Sequence, residues 1–319
     1  MPDPTPGSGV VALAGGVGGA KLAHGLQAQI GERLTVVVNT GDDLERHGLL
    51  VMPDHDTVMY TLAGIANREL GWGIEGETFA AAGMLERYGE PTWFRLGDRD
   101  LATHITRHAR LGSGSGLTAV CLELQRALGV RATILPMSDD PVRTDVRTDD
   151  GWLEFQDYFV GRHQEPEVHE VRFRGAESAT AAPGVVDAID AAATIVIAPS
   201  NPIVSVGPIL AVTEILAALD RARGRGVRIV AVSGIVGGRA LKGPADRMLA
   251  SLGHESSALG VARLYADLAT DFVLDDVDAE LAPAIGALGL RTHVTDTIMS
   301  HDAARARLAA ECLAWAAER

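Results

Sequence analysis

The run Val10-Val-Ala-Leu-Ala-Gly-Gly-Val-Gly-Gly-Ala-Lys-Leu22 decides the fold. Val10 to Ala14 is a short, continuous apolar stretch of the kind carried by a strand buried on both faces. Gly15, Gly16, Gly18 and Gly19 then turn the chain, and Ala20 to Gln29 reads as a helix. Leu34 to Val38 is a second buried-type strand, ending at Asn39-Thr40-Gly41-Asp42-Asp43. Together they make a βαβ unit of a parallel sheet, and ligands of such sheets bind in the loops at the carboxyl ends of the strands.

Outward from this unit, apolar residues between Asp56 and Arg110 recur at three-to-four spacing, as in Val58-Leu62-Ile65 and Phe79-Ala82-Leu85. This predicts a helical insertion over the sheet edge, residues 56–115. Gly112-Ser-Gly-Ser-Gly116 inside it reads as a hinge or helix start, or as a flexible linker. Ala132–Leu135 resumes the sheet. Trp152–Val160 and Val168–Phe173 alternate like an antiparallel pair, an extension over residues 151–175. Thr194–Ala198, Val227–Val232 and Phe272–Leu274 are further apolar strands, and Pro208–Ala222 and His301–Ala317 are amphipathic helices. The expectation is one α/β domain over residues 1–319, its sheet mostly parallel.

Composition removes several classes of function. With 319 residues, 47% apolar and 22% charged, the chain can bury a core without disulfides. A net charge of −14 argues against wrapping nucleic acid or lying on an anionic membrane. Cys121 and Cys312 lie far apart without metal-site spacing, and Met1 to Ser8 lacks the basic region of an export leader, so a cytoplasmic location is expected. Aromatics are only 4%, which leaves few candidates for a ring-stacking pocket: Trp72, Trp93, Trp152, Phe155, Tyr158 and Phe159.

The glycine turn lets backbone N–H groups approach a diphosphate, and the helix N-terminus adds about half a positive charge. The alternative is a tight turn with no ligand, and Lys21 either reaches a phosphate or is solvated. Two familiar phosphate loops are excluded: Ala20-Lys21-Leu22 breaks the Walker A pattern, and Lys21 stands where the dinucleotide fingerprint needs glycine. Asp42, Asp43, Asp54 and Asp56 converge on loops at one sheet edge, as oxygen ligands for Mg²⁺ or as turn and helix caps. In Gly97-Asp98-Arg99-Asp100, Arg99 is positioned to clamp an anion and Asp98 to cap the helix or accept a proton; His104 lies one turn further on. Ser200-Asn201-Pro202 closes a strand with groups able to hydrogen-bond a base or ribose, or with ordinary proline turn chemistry.

In order, Ala14-Gly-Gly-Val-Gly-Gly-Ala-Lys21, Val38-Asn-Thr-Gly-Asp-Asp43, Pro53-Asp-His-Asp-Thr57, Leu96-Gly-Asp-Arg-Asp-Leu-Ala-Thr-His104, Leu135-Pro-Met-Ser-Asp-Asp140, Phe155-Gln-Asp157 and Ala198-Pro-Ser-Asn-Pro202 resemble the 2-phospho-L-lactate transferase family, from Val10 to about Met299. The resemblance implies a Rossmann-like homodimer with helices on both faces of its sheet. It implies Mg²⁺-dependent transfer of a phospholactyl or phosphoenolpyruvyl group from a GDP-linked donor to the hydroxyl of 7,8-didemethyl-8-hydroxy-5-deazariboflavin (Fo), with release of GMP, in coenzyme F-420 biosynthesis. Gly15, Gly16, Gly18, Gly19, Ser200 and Asn201 then take the nucleotide side. Asp42 and Asp56 are the metal-facing carboxylates, with Asp43 and Asp54 as alternates. Asp54, Asp56 and Arg99 face Fo, and Asp42, Asp56 and Arg99 carry the catalysis. A looser branch of the family binds nucleotide sugars without catalysis.

Overall fold

The computed structural model describes residues 9–318; Met1–Ser8, read above for the absence of an export leader, lie outside the described residues. Its centre is a parallel sheet of seven strands: β1 (Gly9–Ala14), β2 (Leu34–Val38), β3 (Thr133–Pro136), β4 (Ala192–Ile197), β5 (Arg228–Val232), β6 (Asp271–Leu274) and β7 (Arg291–Val294). Their spatial order is β7-β6-β5-β4-β1-β2-β3, every neighbouring pair parallel. The winding reverses between β1 and β4, so this is the doubly wound α/β arrangement whose switch point opens a crevice at the carboxyl ends of those two strands.

Alternation along β1 explains its unbroken apolar run. Val11 and Leu13 join a core on one face, and Val10, Ala12 and Ala14 join a separate core on the other. The first face is covered by the helices Val185–Ala191, Thr213–Gly224 and Ala258–Tyr265, the second by Gly16–Ile30, Pro53–Leu62 and Asp302–Ala317. Each fully buried Val or Leu contributes about 1.5–3 kcal/mol, so the two cores together fix the strand register.

Several expectations need correction. The first helix begins at Gly16, inside the glycine run rather than after it. The Pro208–Ala222 helix is two helices, Gly207–Ala211 and Thr213–Gly224, because Val212 is extended (φ −74°, ψ 109°). In the 151–175 extension the two expected strands do not pair with each other. Gly151–Glu154 and Glu170–Arg174 both pair with Arg143–Thr148, and Asp157–Gly161 is helical. Of the 56–115 block, Pro53–Leu62 packs on the Gly16–Ile30 helix as part of the main layer, while Ala80–Arg87 and Asp98–Gly112 follow a long loop beside the crevice. The Gly112–Gly116 segment leads into the helix Leu117–Ala127, its helix-start reading. No single described helix is long and apolar enough to cross a membrane.

Candidate active site

A cleft of about 700 Å³ opens over the switch point. Its floor is the glycine turn. Gly16 lies at φ +59°, a left-handed conformation that glycine adopts without cost. A Cβ on Gly18 would sit 2.3 Å from the Pro199 carbonyl oxygen, so the two loops at the switch point can meet only because residue 18 has no side chain. Gly15 donates its N–H to Ser200 Oγ (3.1 Å), and the same hydroxyl donates back to the Gly15 carbonyl (2.7 Å). Gly16 donates to Asp54 Oδ1 (2.8 Å). Both N–H groups are therefore spent inside the protein, leaving Val17 and Gly18 in the helix's first turn as the donors that line the cleft. Gly19 is absent from the lining and packs against Ser200 and Ala14.

Asp54 sits on the Pro53–Leu62 helix and is tied down twice, by Gly16 and by Asn39 Nδ2 (2.9 Å), while Asn39 Oδ1 accepts from the Gly41 N–H (2.7 Å). Burial raises the Asp54 carboxyl to about 6 despite those hydrogen bonds. Asp42 is pushed well above the usual carboxylate range, by burial first and then by the neighbouring Asp54 charge, and its Oδ1 is buried without a partner. Both line the cleft. Two adjacent buried acids with an unsatisfied oxygen are an arrangement that a divalent cation neutralises. Asp43, pushed up by burial, is buried away from the lining.

Asp56 also reaches the cleft, but its two oxygens are both taken by the fully buried guanidinium of Arg107, Oδ2 at 3.1 Å from Nη1 and Oδ1 against Nη2. Burial would raise its carboxyl; Arg107 instead drives it far below the ordinary range. His104 lies between Asp56 (3.7 Å) and Asp100 (3.3 Å), and Tyr60 donates to Asp100 (2.8 Å). Asp56, Asp100 and His104 bring ligand atoms within 4.8 Å of one another, yet the Asp56 oxygens are already committed. Asp56 thus braces the helix pair, and Asp42 with Asp54 is the acid pair left unneutralised.

Arg99 does not enter the cleft. Its Nη1 donates to the Glu75 carbonyl (2.7 Å) on the exposed side of the loop, whereas Arg95, stacked 4.3 Å over Phe79, lines the cleft instead. Asp98 accepts from the Ala80 and Ala81 N–H groups, capping the neighbouring helix. Ser200 and Asn201 both line the cleft, and Asn201 Oδ1 also accepts from Ile203 N–H (2.9 Å) to cap the following turn. The lining also includes Trp72, Trp93, Phe94, Phe155 and Phe159, so an aromatic-poor chain concentrates rings here; Trp152 lies elsewhere, under Arg172.

The sequence profile of the family described as 2-phospho-L-lactate transferase CofD matches residues 10–308, which include every element of this cleft. The chain belongs to that family. It is similar to a phosphoenolpyruvate transferase of Streptomyces griseus, 45% identical over 97% of this chain and 98% of the relative. It is also similar to the 2-phospho-L-lactate transferases of Methanosarcina mazei (39%, 91% of this chain and 95% of the relative) and Methanothermobacter thermautotrophicus (40%, 92% and 93%). A UPF0052-family structure from Bacillus halodurans superposes with a TM-score of 0.64 at 14% identity, covering 97% of this chain and 99% of that one, a likeness of fold. Membership in a transferase family makes this chain an enzyme and its cleft the candidate active site. For this CofD-family chain, sequence reasoning gave no role to Asn39, Arg95, Arg107 or Lys242; Asn39 had a signal, since it stands in the Val38–Asp43 segment as the first residue after a strand, and the other three stand in none of the quoted segments.

Proposed function

We propose that the protein transfers a phosphoenolpyruvyl or 2-phospholactyl group from a GDP-linked three-carbon acid to the hydroxyl of Fo, giving dehydro-F-420-0 or F-420-0 and GMP. The observation that carries this reading is the coincidence of the family match with a glycine turn and an unneutralised acid pair at one switch point. Higher identity to the Streptomyces enzyme favours the phosphoenolpyruvyl donor.

In this reading the alcohol oxygen of Fo attacks the phosphorus bearing the three-carbon acid, the bond to the GMP phosphate breaks, and the hydroxyl proton is lost. Such a displacement needs in-line placement and charge neutralisation more than covalent help. Val17 and Gly18 N–H groups and the helix N-terminus hold the diphosphate. Asp42 and Asp54 fit Mg²⁺ by their donor set and by the orphaned Asp42 oxygen. Bound there, the ion would neutralise charge on the diphosphate. The aromatic side chains of the lining and Arg95 take the deazaflavin side. Amide exchange in residues 56–110 is expected to slow when Fo is added. A cytoplasmic homodimer completes the reading, with light scattering as the check on its size.

The test is mass spectrometry of a reaction holding protein, Fo, Mg²⁺ and each guanylylated acid made in place. An Fo adduct that vanishes with EDTA supports the transfer and names the donor. Unmodified Fo with both donors, together with a melting temperature raised by a uridine nucleotide sugar, would replace it with the non-catalytic sensor reading.

A further inference from the structure

Lysine is almost absent from this chain: among its 28 Lys and Arg residues only Lys21 and Lys242 are lysines. Both line the same cleft. They come from separate elements, Lys21 from the Gly16–Ile30 helix and Lys242 from the loop between Arg239–Ala240 and the helix Ala245–Ser251. Gly71, at φ +81°, makes room for the second. A Cβ there would sit 2.8 Å from Lys242 Nζ and 3.3 Å from a Val17 methyl, which places that ammonium beside the glycine turn. The acid pair meets the turn elsewhere, since a Cβ on Gly15 would lie 2.5 Å from Asp54 Oδ2.

Neither lysine has an ion-pair partner among the described residues, although the chain carries 42 acidic residues. The charged groups that act on Lys21 are both cations, Arg305 and Lys242, and Arg305 pairs with Asp302 (3.2 Å), which also holds Arg68 (3.0 Å). Burial, then Arg305, then Lys242 lower the Lys21 proton affinity, as expected of a cation among cations. Two ammonium groups, one half-buried and one exposed, that line one cleft with no carboxylate paired to either leave a site that an oxyanion completes. Lysine is a compact point charge with no fixed plane, and so accommodates an oxyanion whose geometry shifts during a displacement better than the planar fork of Arg.

We infer that Lys21 and Lys242 form an anion subsite for the donor, taking an oxygen-borne negative charge beyond those the Val17–Gly18 turn and the acid pair address. This rests on the transferase reading. The charge is the carboxylate of the transferred acid or a phosphate of the diphosphate, which share this chemistry.

Lys21→Met and Lys242→Met keep the aliphatic stem and remove the charge at positions that are not fully buried, and melting curves confirm folding. With Mg²⁺ present, each variant is expected to raise the KM for the guanylylated acid by about tenfold or more and to leave the KM for Fo within about twofold. A calorimetric Kd for GDP that stays unchanged assigns the carboxylate; one that rises in step assigns the diphosphate. Donor KM and GDP Kd both within about twofold of wild type, or a shift in the KM for Fo alone, would overturn the subsite. If the wild type transfers nothing, the proposed function fails, and the subsite is decided by calorimetric titration of the guanylylated acid itself, whose Kd either variant is expected to raise about tenfold and whose unchanged Kd in both would overturn it.

Discussion

Asp54 and Asp56 are two residues apart on one helix, about 200° around its axis, and so cannot serve one partner. Asp54 faces Gly16 and Asn39, and Asp56 faces Arg107. Asp56→Asn is expected to cost about 3–5 kcal/mol in urea unfolding, because it leaves a buried guanidinium without its counter-charge; a loss below about 1 kcal/mol would contradict the bracing role. Asp42→Asn and Asp54→Asn are expected to stay folded, to lower kcat/KM by about 100-fold and to raise the Mg²⁺ concentration for half-maximal rate. Unchanged Mg²⁺ dependence in both would remove them from the metal site. The four carboxylates were legible in the sequence as a group, but the division of labour among them was not. It is decided by Arg107, 51 residues further along, whose side chain reaches back into the Pro53–Leu62 helix. Arg99 was misplaced for the same reason: a charged residue at a helix start gives no sign of which way its side chain turns, and the Glu75 carbonyl captured it.

At the scale of elements, β1, β2 and the turn between them were readable because a strand buried on both faces has to be apolar throughout. β7 was not. Arg291-Thr-His-Val294 is a half-buried edge strand with no apolar run, and Arg143–Thr148 is equally polar. Gly18→Ala drives a methyl into the Pro199 carbonyl and is expected to abolish detectable GDP binding in calorimetry, whereas Gly83→Ala, in open space on a helix, is expected to add up to about 1 kcal/mol of stability. Retained GDP affinity in the first would contradict the close contact at the switch point. In the antiparallel extension, burial raises the Asp145 carboxyl but hydrogen bonds from Arg174 and Arg172 outweigh it, so the folded value lies below the unfolded one. Its stabilising contribution is then full above the unfolded value of about 3.9 and is lost as pH falls through the folded value. Asp145→Asn should therefore flatten the acid limb of a stability-versus-pH curve below about pH 5, and an unaltered slope there would refute the pairing.

Across the whole molecule, the proposed function has a chain of net charge −14 bind an anionic donor through local groups rather than its overall field: two backbone N–H groups, a helix N-terminus, two lysines and a cation that two acids would hold, at the place where the winding of the sheet reverses. GDP with Mg²⁺ is expected to raise the melting temperature in proportion to the logarithm of its concentration, and EDTA to remove most of that rise. Chromatography of GMP formed from the guanylylated acid, with and without Fo, tests the central claim most directly. The account predicts GMP only when Fo is present, one per Fo consumed, and none after EDTA; GMP released at the same rate without Fo, or none under any condition, would contradict it.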